Sequence, residues 1–311
     1  MEKKIIIDCD PGHDDAMAII LAASAVSDLQ IEAITTVAGN VGVEKNTKNA
    51  LRVCELAGLD DVPVAMGADR PLIREFLEAS HVHGKSGLDG TDLSEQPFKE
   101  PVNQYAVDML IEKLMASDGN ITLVPIGPLT NIALAIRKEP RIIPKINEIA
   151  LMGGGTYGNR TPAAEFNIYA DAEAAKIVFE SGAPITMFGL DVTLQVLATP
   201  DKLDELKAID NPVATTVADM ITFYAGAYQG QFAGAALHDP CTIAYLIDPS
   251  IFELDHVRVD VETKGDFTYG MTVVDRNGVT GREPNVNFAY HLNPDKFWQL
   301  FMDALRSYSK S

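Results

Sequence analysis

The 311-residue chain has little cysteine and little positive charge. Its three cysteines, Cys9, Cys54 and Cys241, are widely spaced and lie in apolar segments. They do not form a disulfide framework, and they fit a reducing cytoplasm. Only 25 Lys and Arg residues stand against 44 Asp and Glu residues, which gives a formal net charge of −19. This balance disfavours nucleic acids and anionic membranes as partners, because both are bound through Lys and Arg that neutralise phosphates.

Long apolar runs and several common site motifs are also missing. No apolar run approaches membrane-spanning length, and only three apolar residues separate Lys4 from Asp8, so we expect neither a membrane span nor a signal peptide. Gly153-Gly154-Gly155 lacks the Gly-Lys-Ser/Thr end of a P-loop and the G-x-G-x-x-G spacing of a dinucleotide site. A G-x-S-x-G nucleophile motif is absent too. The sequence thus predicts a cytoplasmic protein with some other kind of site.

Short apolar runs alternate with helical patterns along most of the chain. Strands are predicted at 5–7, 31–38, 121–126, 149–152 and 184–190, and helices at 16–25, 129–137 and 241–247. This alternation predicts one α/β domain over residues 1–311, with a mostly parallel, Rossmann-like sheet flanked by helices. Segments 256–262 and 271–275 predict antiparallel strands at the sheet edge. The irregular stretch from His83 to Pro101 predicts a functional lid or a disordered loop.

Four aspartates occur within eight residues after the first predicted strand. They are Asp8, Asp10, Asp14 and Asp15, and Pro11-Gly12 lies between the pairs. One such residue alone often builds a turn or a helix cap. All four close together repel one another and require a cation or shared protons. Oxygen ligands without a zinc-type spacing favour Ca²⁺ or Mg²⁺.

Further polar residues follow later strands, at the sheet edge where parallel α/β folds bind ligands. Asp239, which follows His238, is either a helix N-cap beside an ordinary histidine or another carboxylate of the cluster. A second set combines one carboxylate with neutral amides: Glu165, Asn167, Asn40 and Asn159. Such a set donates and accepts hydrogen bonds without requiring a charged ligand, which suits a polyhydroxyl compound such as a sugar.

Five segments together resemble the inosine-uridine-preferring nucleoside hydrolases, and they occur in order over nearly the whole chain. They are Asp8-Cys9-Asp10-Pro11-Gly12-His13-Asp14-Asp15, Val37-Ala38-Gly39-Asn40, Val124-Pro125-Ile126-Gly127-Pro128-Leu129-Thr130-Asn131, Glu165-Phe166-Asn167 and Leu237-His238-Asp239-Pro240. The resemblance implies Ca²⁺-dependent hydrolysis of the N-glycosidic bond of ribonucleosides such as uridine, cytidine and inosine, to ribose and free base, in nucleoside salvage. It also implies a homo-oligomer, a dimer or a tetramer.

The same resemblance implies roles for individual residues. One Ca²⁺ would be held by Asp10, Asp15, Asp239 and the main-chain carbonyl of Ile126, and Asp10 would also remove the proton from the attacking water. The residues that would bind the ribose hydroxyls are Asp14, Asn40, Asn159, Glu165 and Asn167. His83 and His238 would flank the nucleobase, and His238 would assist its departure.

The preference for one nucleobase stays open in the sequence. Tyr224 and Tyr228 stand at helical spacing and resemble the paired tyrosines of members that accept both purine and pyrimidine nucleosides. The segments around Glu165 and Asp239 instead resemble pyrimidine-preferring bacterial members. Two aromatic residues at this spacing can also simply pack a helix against a core.

Two other functions remain open at this point. A phosphatase of the haloacid dehalogenase type also begins with Asp-x-Asp after a strand, but it needs a basic residue for the phosphate, and Asp14-Asp15 are not expected there. A nucleoside- or sugar-binding protein would keep the pocket without turnover.

Overall fold

The computed structural model describes residues 3–228 and 232–309, and all of their side chains except those of residues 80, 81, 227 and 228. The strands are β1 (Lys3–Cys9), β2 (Leu29–Thr36), β3 (Val64–Met66), β4 (Ile121–Pro125), β5 (Ile146–Met152), β6 (Ile185–Phe188), β7 (Leu197–Ala198), β8 (Ala235–Ala236), β9 (Phe252–Val261), β10 (Thr272–Asp275) and β11 (Val286–Leu292). All the predicted strands are present, with ends that differ by a few residues.

Helices connect most of these strands. They are α1 (His13–Ala23), α2 (Val43–Ala57), α3 (Ser80–His83), α4 (Ala106–Ala116), α5 (Thr130–Lys138), α6 (Phe166–Ala170), α7 (Ala172–Phe179), α8 (Leu190–Thr193), α9 (Pro200–Lys207), α10 (Pro212–Tyr224), α11 (Pro240–Ile247) and α12 (Pro294–Arg306). Short 3₁₀ segments lie at Pro140–Lys145, Ala225–Tyr228 and Pro249–Ile251. Among the helices of the described residues, none is both long and apolar enough to cross a membrane.

The main sheet is mostly parallel. Over the described residues it has nine strands in the order β10-β9-β11-β6-β5-β4-β1-β2-β3. From β11 to β3 all neighbours pair in parallel, whereas β9 pairs antiparallel with both β11 and β10 at one edge. The predicted α/β fold with antiparallel edge strands is therefore confirmed. Strand β11, which the sequence did not predict, lies between β6 and β9.

Strand β1 is the central platform of the molecule. Ile5 and Ile7 face one layer of helices, which includes α1 and α11, while Ile6 faces the other layer, which includes α4 and α5. All three side chains are fully buried. Burying each one stabilises the fold by about 1.5–3 kcal/mol relative to exposure. The residues that follow β1 thus extend from a fixed position at the carboxyl edge of the sheet.

The stretch between α3 and α4 is irregular, as the sequence predicted. Side chains of α2 hold it in place. Arg52 donates hydrogen bonds to the carbonyl oxygens of Leu93 and Ser94, both at 2.7 Å, and Asn49 donates to the carbonyl of Ser86 at 2.8 Å. The first half of this stretch is therefore attached to a helix of the core, and its proposed role as a lid stays a prediction.

Candidate active site

A cavity of about 600 Å³ opens at the carboxyl edge of the parallel strands. Most of the predicted site residues line it: Asp14, Asp15, Asn40, His83, Ile126, Asn159, Glu165, Asn167, Tyr224, His238 and Asp239. Asp8 and Asp10 are not among the lining residues. The side chain of Tyr228 lies outside the part that the structure describes. One cavity thus collects residues from the ends of several strands, as expected for this class of fold.

Three buried carboxylates form an acid cluster in the cavity, namely Asp14, Asp15 and Asp239. Oxygen atoms of the three lie within 4.8 Å of one another. Asp14 and Asp15 belong to the first turn of α1, and Asp239 precedes the first residue of α11. Burial and the neighbouring carboxylates raise the pKa of Asp14 and of Asp239 well above the usual range. Carboxylates this close and this dry favour a shared cation.

Asp15 is oriented mainly by main-chain groups. Its two carboxylate oxygens accept hydrogen bonds from the N–H groups of Asp10 and Gly12, each at 3.0 Å, and the Asn40 amide donates to it at 3.3 Å. Burial raises the pKa of Asp15 to about 6, although the two main-chain donors oppose that shift. The turn Asp10-Pro11-Gly12 therefore fixes this carboxylate before any ligand binds.

Asp10 lies beside the acid cluster, buried between two glycines. Its Oδ2 accepts a hydrogen bond from the Asn40 main-chain N–H at 2.7 Å. Its Oδ1 is buried and has no hydrogen-bond partner among the described residues. A methyl group built on Gly39 or Gly127 would collide with this carboxylate, so both positions require glycine. Burial and the charge of Asp15 raise the pKa of Asp10.

Asp8 does not share the environment of the other three aspartates. It is still part of β1, where it pairs with Thr35 of β2. Its Oδ1 accepts hydrogen bonds from the Thr35 hydroxyl at 2.6 Å and from the Asn131 amide at 2.8 Å. Burial raises its pKa to about 7. The expectation that all four aspartates face one point is therefore wrong for Asp8, because the strand has not yet ended there and its side chain packs between β2 and α5.

Glu165 caps a helix at the cavity wall. Its carboxylate accepts hydrogen bonds from the main-chain N–H groups of Asn167 (2.9 Å), Ile168 (3.1 Å) and Gly154 (2.8 Å). The first two open α6, and Gly154 follows β5. Burial raises the pKa of Glu165, against the opposing effect of these donors. The side chain thus ties the sheet edge to α6 in addition to lining the cavity.

Two asparagines flank Glu165 in different ways. The Asn167 amide donates to the carbonyl oxygen of Ile126 at 2.9 Å and, at 3.3 Å, to that of Met152. A carbonyl oxygen has two lone pairs, so the Ile126 oxygen keeps one for another ligand. Asn159 is exposed at the cavity mouth, and its carbonyl oxygen accepts from the Phe166 main-chain N–H at 3.0 Å.

A stack of aromatic rings forms another wall. The ring centroid of His13 lies 5.4 Å from that of His83, 5.2 Å from that of Phe223 and 5.7 Å from that of Tyr224. The ring planes are inclined to each other by 20–24°. His13 is fully buried, and burial lowers its pKa. The packing of Tyr224 into this stack agrees with the simpler interpretation of its helical spacing. Sequence reasoning assigned no role to His13, because its contacts are far away along the chain.

His83 is held through its Nδ1 atom. The main-chain N–H of His13 donates to this nitrogen at 3.2 Å, and the His13 ring donates from Nε2 to the carbonyl oxygen of Asp89 at 2.9 Å. A main-chain N–H can only donate, so Nδ1 of His83 accepts this bond; Nδ1 of the His13 ring lies 3.1 Å from the same atom.

His238 is held in a different manner. Its Nδ1 lies 2.7 Å from the hydroxyl oxygen of Thr193, the last residue of α8. Burial lowers the pKa of His238 to about 4, so the ring is neutral near pH 7. Sequence reasoning missed Thr193, and nothing in its local sequence distinguishes it from a helix-end threonine.

Comparisons with known proteins agree with this geometry. The sequence model described as inosine-uridine preferring nucleoside hydrolase matches residues 5–299. A pyrimidine-specific ribonucleoside hydrolase RihA from Shewanella woodyi is 47% identical over 314 residues, which cover 100% of both chains. An inosine-uridine preferring nucleoside hydrolase from Crithidia fasciculata is 46% identical over 310 residues, which cover 98% of each.

Solved structures show the same fold over nearly the whole chain. A plant nucleoside hydrolase superposes with a TM-score of 0.91 at 35% identity, covering 98% of this chain and 99% of that one. A purine-preferring ribonucleoside hydrolase from Gardnerella vaginalis has a TM-score of 0.90 at 33% identity, covering 98% of each chain. These matches favour a nucleoside hydrolase over the phosphatase and over the binding protein without turnover. The chain therefore belongs to the inosine-uridine preferring nucleoside hydrolase family, and it is a ribonucleoside hydrolase.

Proposed function

We propose that this ribonucleoside hydrolase depends on Ca²⁺, serves nucleoside salvage in the cytoplasm, and cleaves uridine, cytidine and inosine. An enzyme specific for pyrimidine ribonucleosides, with little purine activity, is the alternative. The observation that carries the proposal is the acid cluster of buried carboxylates with Asp10 beside it. The Oδ1 atom of Asp10 is buried and lacks a hydrogen-bond partner among the described residues.

The donor set fits a hard divalent cation. Asp10, Asp15, Asp239 and the carbonyl oxygen of Ile126 would hold it, all of them oxygen donors. The buried Oδ1 of Asp10 supports this assignment, since a buried carboxylate oxygen without a partner is costly and a cation would satisfy it. When bound, Ca²⁺ would supply a positive charge that orients the attacking water and the ribose diol together. Asp14, the remaining member of the acid cluster, is then available for a ribose hydroxyl.

The chain's own residues account for the rest of the reaction. Cleavage of an N-glycosidic bond passes through a sugar with oxocarbenium character, which nearby carboxylates stabilise. The proposed roles are proton removal from water by Asp10, hydroxyl binding by Asp14, Asn40, Asn159, Glu165 and Asn167, and base contacts from His83 and His238. As a neutral ring, His238 would assist the departing base by donating a hydrogen bond.

The base preference is the finer part of the proposal. Two relatives with different names are almost equally similar to this chain. The bacterial one named as pyrimidine-specific is 47% identical, and the inosine-uridine preferring one is 46% identical. Identity alone therefore does not choose between them. Tyr224 supports a ring-lined base pocket, since it lines the cavity within the aromatic stack. Tyr228 keeps its proposed role in the base pocket as a prediction.

Turnover on a panel of nucleosides tests the proposal. The purified enzyme is assayed with uridine, cytidine, inosine, adenosine and their 2′-deoxy forms, before and after chelation and after Ca²⁺ is added back. We expect activity on the ribonucleosides, lost on chelation and restored by Ca²⁺. Rates on inosine far below those on uridine and cytidine would establish the pyrimidine-specific alternative.

The proposed homo-oligomer, a dimer or a tetramer, has its own test. Phe98 and Phe267 are 96% and 91% exposed and offer apolar surface that another subunit could cover. Light scattering on the purified protein gives the subunit count. A monomer at assay concentration would contradict the proposal.

A further inference from the structure

We infer that Thr193 is the positioning residue for His238: its hydroxyl holds the imidazole by Nδ1, so that any hydrogen bond to a departing nucleobase is made through Nε2. The inference rests on the proposed role of His238 at the nucleobase. Nothing in the sequence or in the comparisons assigns a role to Thr193.

The contact is buried and short. The Thr193 hydroxyl oxygen and Nδ1 of His238 are 2.7 Å apart, and the two residues are 0% and 5% exposed. A threonine hydroxyl in a helix often bonds the carbonyl oxygen four residues earlier. Here the Thr193 main-chain N–H donates to that carbonyl, of Gly189, at 3.1 Å, and the hydroxyl is directed at the histidine. The threonine therefore uses its side chain for the ring.

A small two-stranded sheet fixes the distance between the two residues. Strands β7 and β8 pair antiparallel, with Leu197 opposite Ala236. The Leu237 main-chain N–H donates to the carbonyl of Val196 at 3.0 Å and extends this pairing to the residue before His238. Thr193 precedes β7 and His238 follows β8, so both lie at the same end of this antiparallel pair. The backbone pairing therefore brings the two residues together.

The buried Thr193 hydroxyl has no acceptor other than Nδ1 of His238 among the described residues, so it donates there and leaves the ring proton on Nε2. A leaving nucleobase gains negative charge and accepts hydrogen bonds, so a neutral His238 assists it only as the Nε2–H tautomer. In that tautomer Nδ1 is a lone-pair acceptor, and the Thr193 O–H is its donor. Valine at position 193 would keep the shape of the side chain but leave a buried Nδ1 without this donor, which favours other tautomers or ring orientations.

Steady-state kinetics of the Ca²⁺-loaded enzyme on uridine and inosine test the inference. We expect Thr193→Val to lower kcat roughly tenfold, the scale of one hydrogen bond, with little change in KM. Thr193→Ser, which keeps the hydroxyl, should restore most of kcat. Thr47→Val is the matched control, because Thr47 is a buried threonine on α2 outside the cavity whose hydroxyl bonds the Val43 carbonyl and the Thr36 hydroxyl, each at 2.7 Å. It should keep the parent kcat.

A double-mutant cycle separates positioning from general structure. In a His238→Ala background, Thr193→Val should cause no further loss, because the ring on which it acts is gone. Parent kcat in Thr193→Val, or an equal loss in the His238→Ala background, would overturn the inference.

Nitrogen NMR of the histidine rings gives a readout independent of catalysis. His238 is assigned by the resonance that disappears in His238→Ala, and the parent protein should show its Nε2–H tautomer. An Nδ1–H tautomer would overturn the inference, even where Thr193→Val fails to fold. If His238→Ala instead keeps full kcat, the proposed role of His238 fails, while the NMR result still decides whether Thr193 sets the ring.

Discussion

The cavity has two unlike sides, an acid end and a histidine side. At the acid end, Asp15 is held by main-chain N–H groups from its own turn, at Asp10 and Gly12. On the histidine side, His83 and His238 are held by groups 70 and 45 residues away in sequence. The Asp15 carboxylate is therefore fixed locally, whereas Asp239 at the acid end and both histidine contacts come together only once the chain has folded.

The difference matches the chemistry proposed for each side. The carboxylates lie where a sugar would develop positive charge, and a cation and fixed main-chain dipoles keep them in place. The histidines would meet a leaving group that gains negative charge, where a neutral hydrogen-bond donor is needed. Burial keeps His238 neutral near pH 7 because it lowers the ring's pKa. Changes at the acid end should therefore affect all substrates, and changes on the histidine side should discriminate between nucleobases.

Metal removal should give the largest effect, and it tests the acid end as a whole. Chelation should lower kcat on uridine and inosine alike, by about 10³-fold or more, since a catalytic metal supplies several kcal/mol. Elemental analysis should find about one Ca²⁺ per chain, as expected for one set of oxygen donors. Undiminished activity in a preparation that contains no metal would sink the metal assignment.

Asp10→Asn should come next, with a loss in turnover of roughly 10²-fold or more from removal of the general base. Asp8→Asn is the control two residues earlier. An asparagine oxygen at position 8 can still accept from Thr35 and Asn131, so this variant should stay within about tenfold of the parent. Near-normal rates in Asp10→Asn would mean that another carboxylate, with Asp14 first in line, takes the proton.

His238→Ala should discriminate between substrates. A purine leaves more easily when N7 is protonated or hydrogen-bonded, and a pyrimidine lacks that atom. We expect inosine hydrolysis to fall about 10²-fold, the scale of general acid catalysis, and uridine hydrolysis to fall much less. Tyr228→Phe should show a smaller bias in the same direction. Equal losses on both substrates would show that His238 has no base-specific role, and His83 would be the next candidate for it.

The smallest effect concerns the ribose. With 2′-deoxyuridine we expect about 30-fold slower turnover than with uridine, the scale of one hydrogen bond to a charged group. The missing hydroxyl would otherwise meet the metal and Asp14 or Asn167. Comparison of kcat/KM for the two substrates provides the measurement. Equal values would contradict the proposed arrangement of the diol.

The sequence predicted the fold where the pattern was local. Apolar runs such as Ile5–Ile7 predicted buried strands correctly, because three consecutive isoleucines satisfy both faces of a covered sheet. Strand β11 was missed although its large apolar residues, Val286, Phe288, Tyr290 and Leu292, stand at alternate positions; its burial is irregular, with a register shift against β9 between Ala289 and His291. Its place between β6 and β9 depends on tertiary pairing, which no local pattern specifies.

The site residues, too, were predicted where the signal was local and missed where it was not. The aspartates after β1 marked the acid end, and the family resemblance supplied the ribose and base residues. Sequence alone did not distinguish Asp8 from Asp10, because the difference is whether the strand has ended. His13 and Thr193 were missed because each acts on a histidine from a distant segment.

The tethering of the irregular stretch by α2 bears on how such enzymes can diverge. Arg52 and Asn49 hold that stretch by carbonyl oxygens, at Leu93, Ser94 and Ser86, and every amino acid carries a carbonyl. The tether itself therefore does not depend on the side chains at these three positions. It does depend on those of Arg52 and Asn49. Among diverging copies of this chain, the tether should survive substitutions at the three positions that it holds, but not the loss of Arg52 or Asn49.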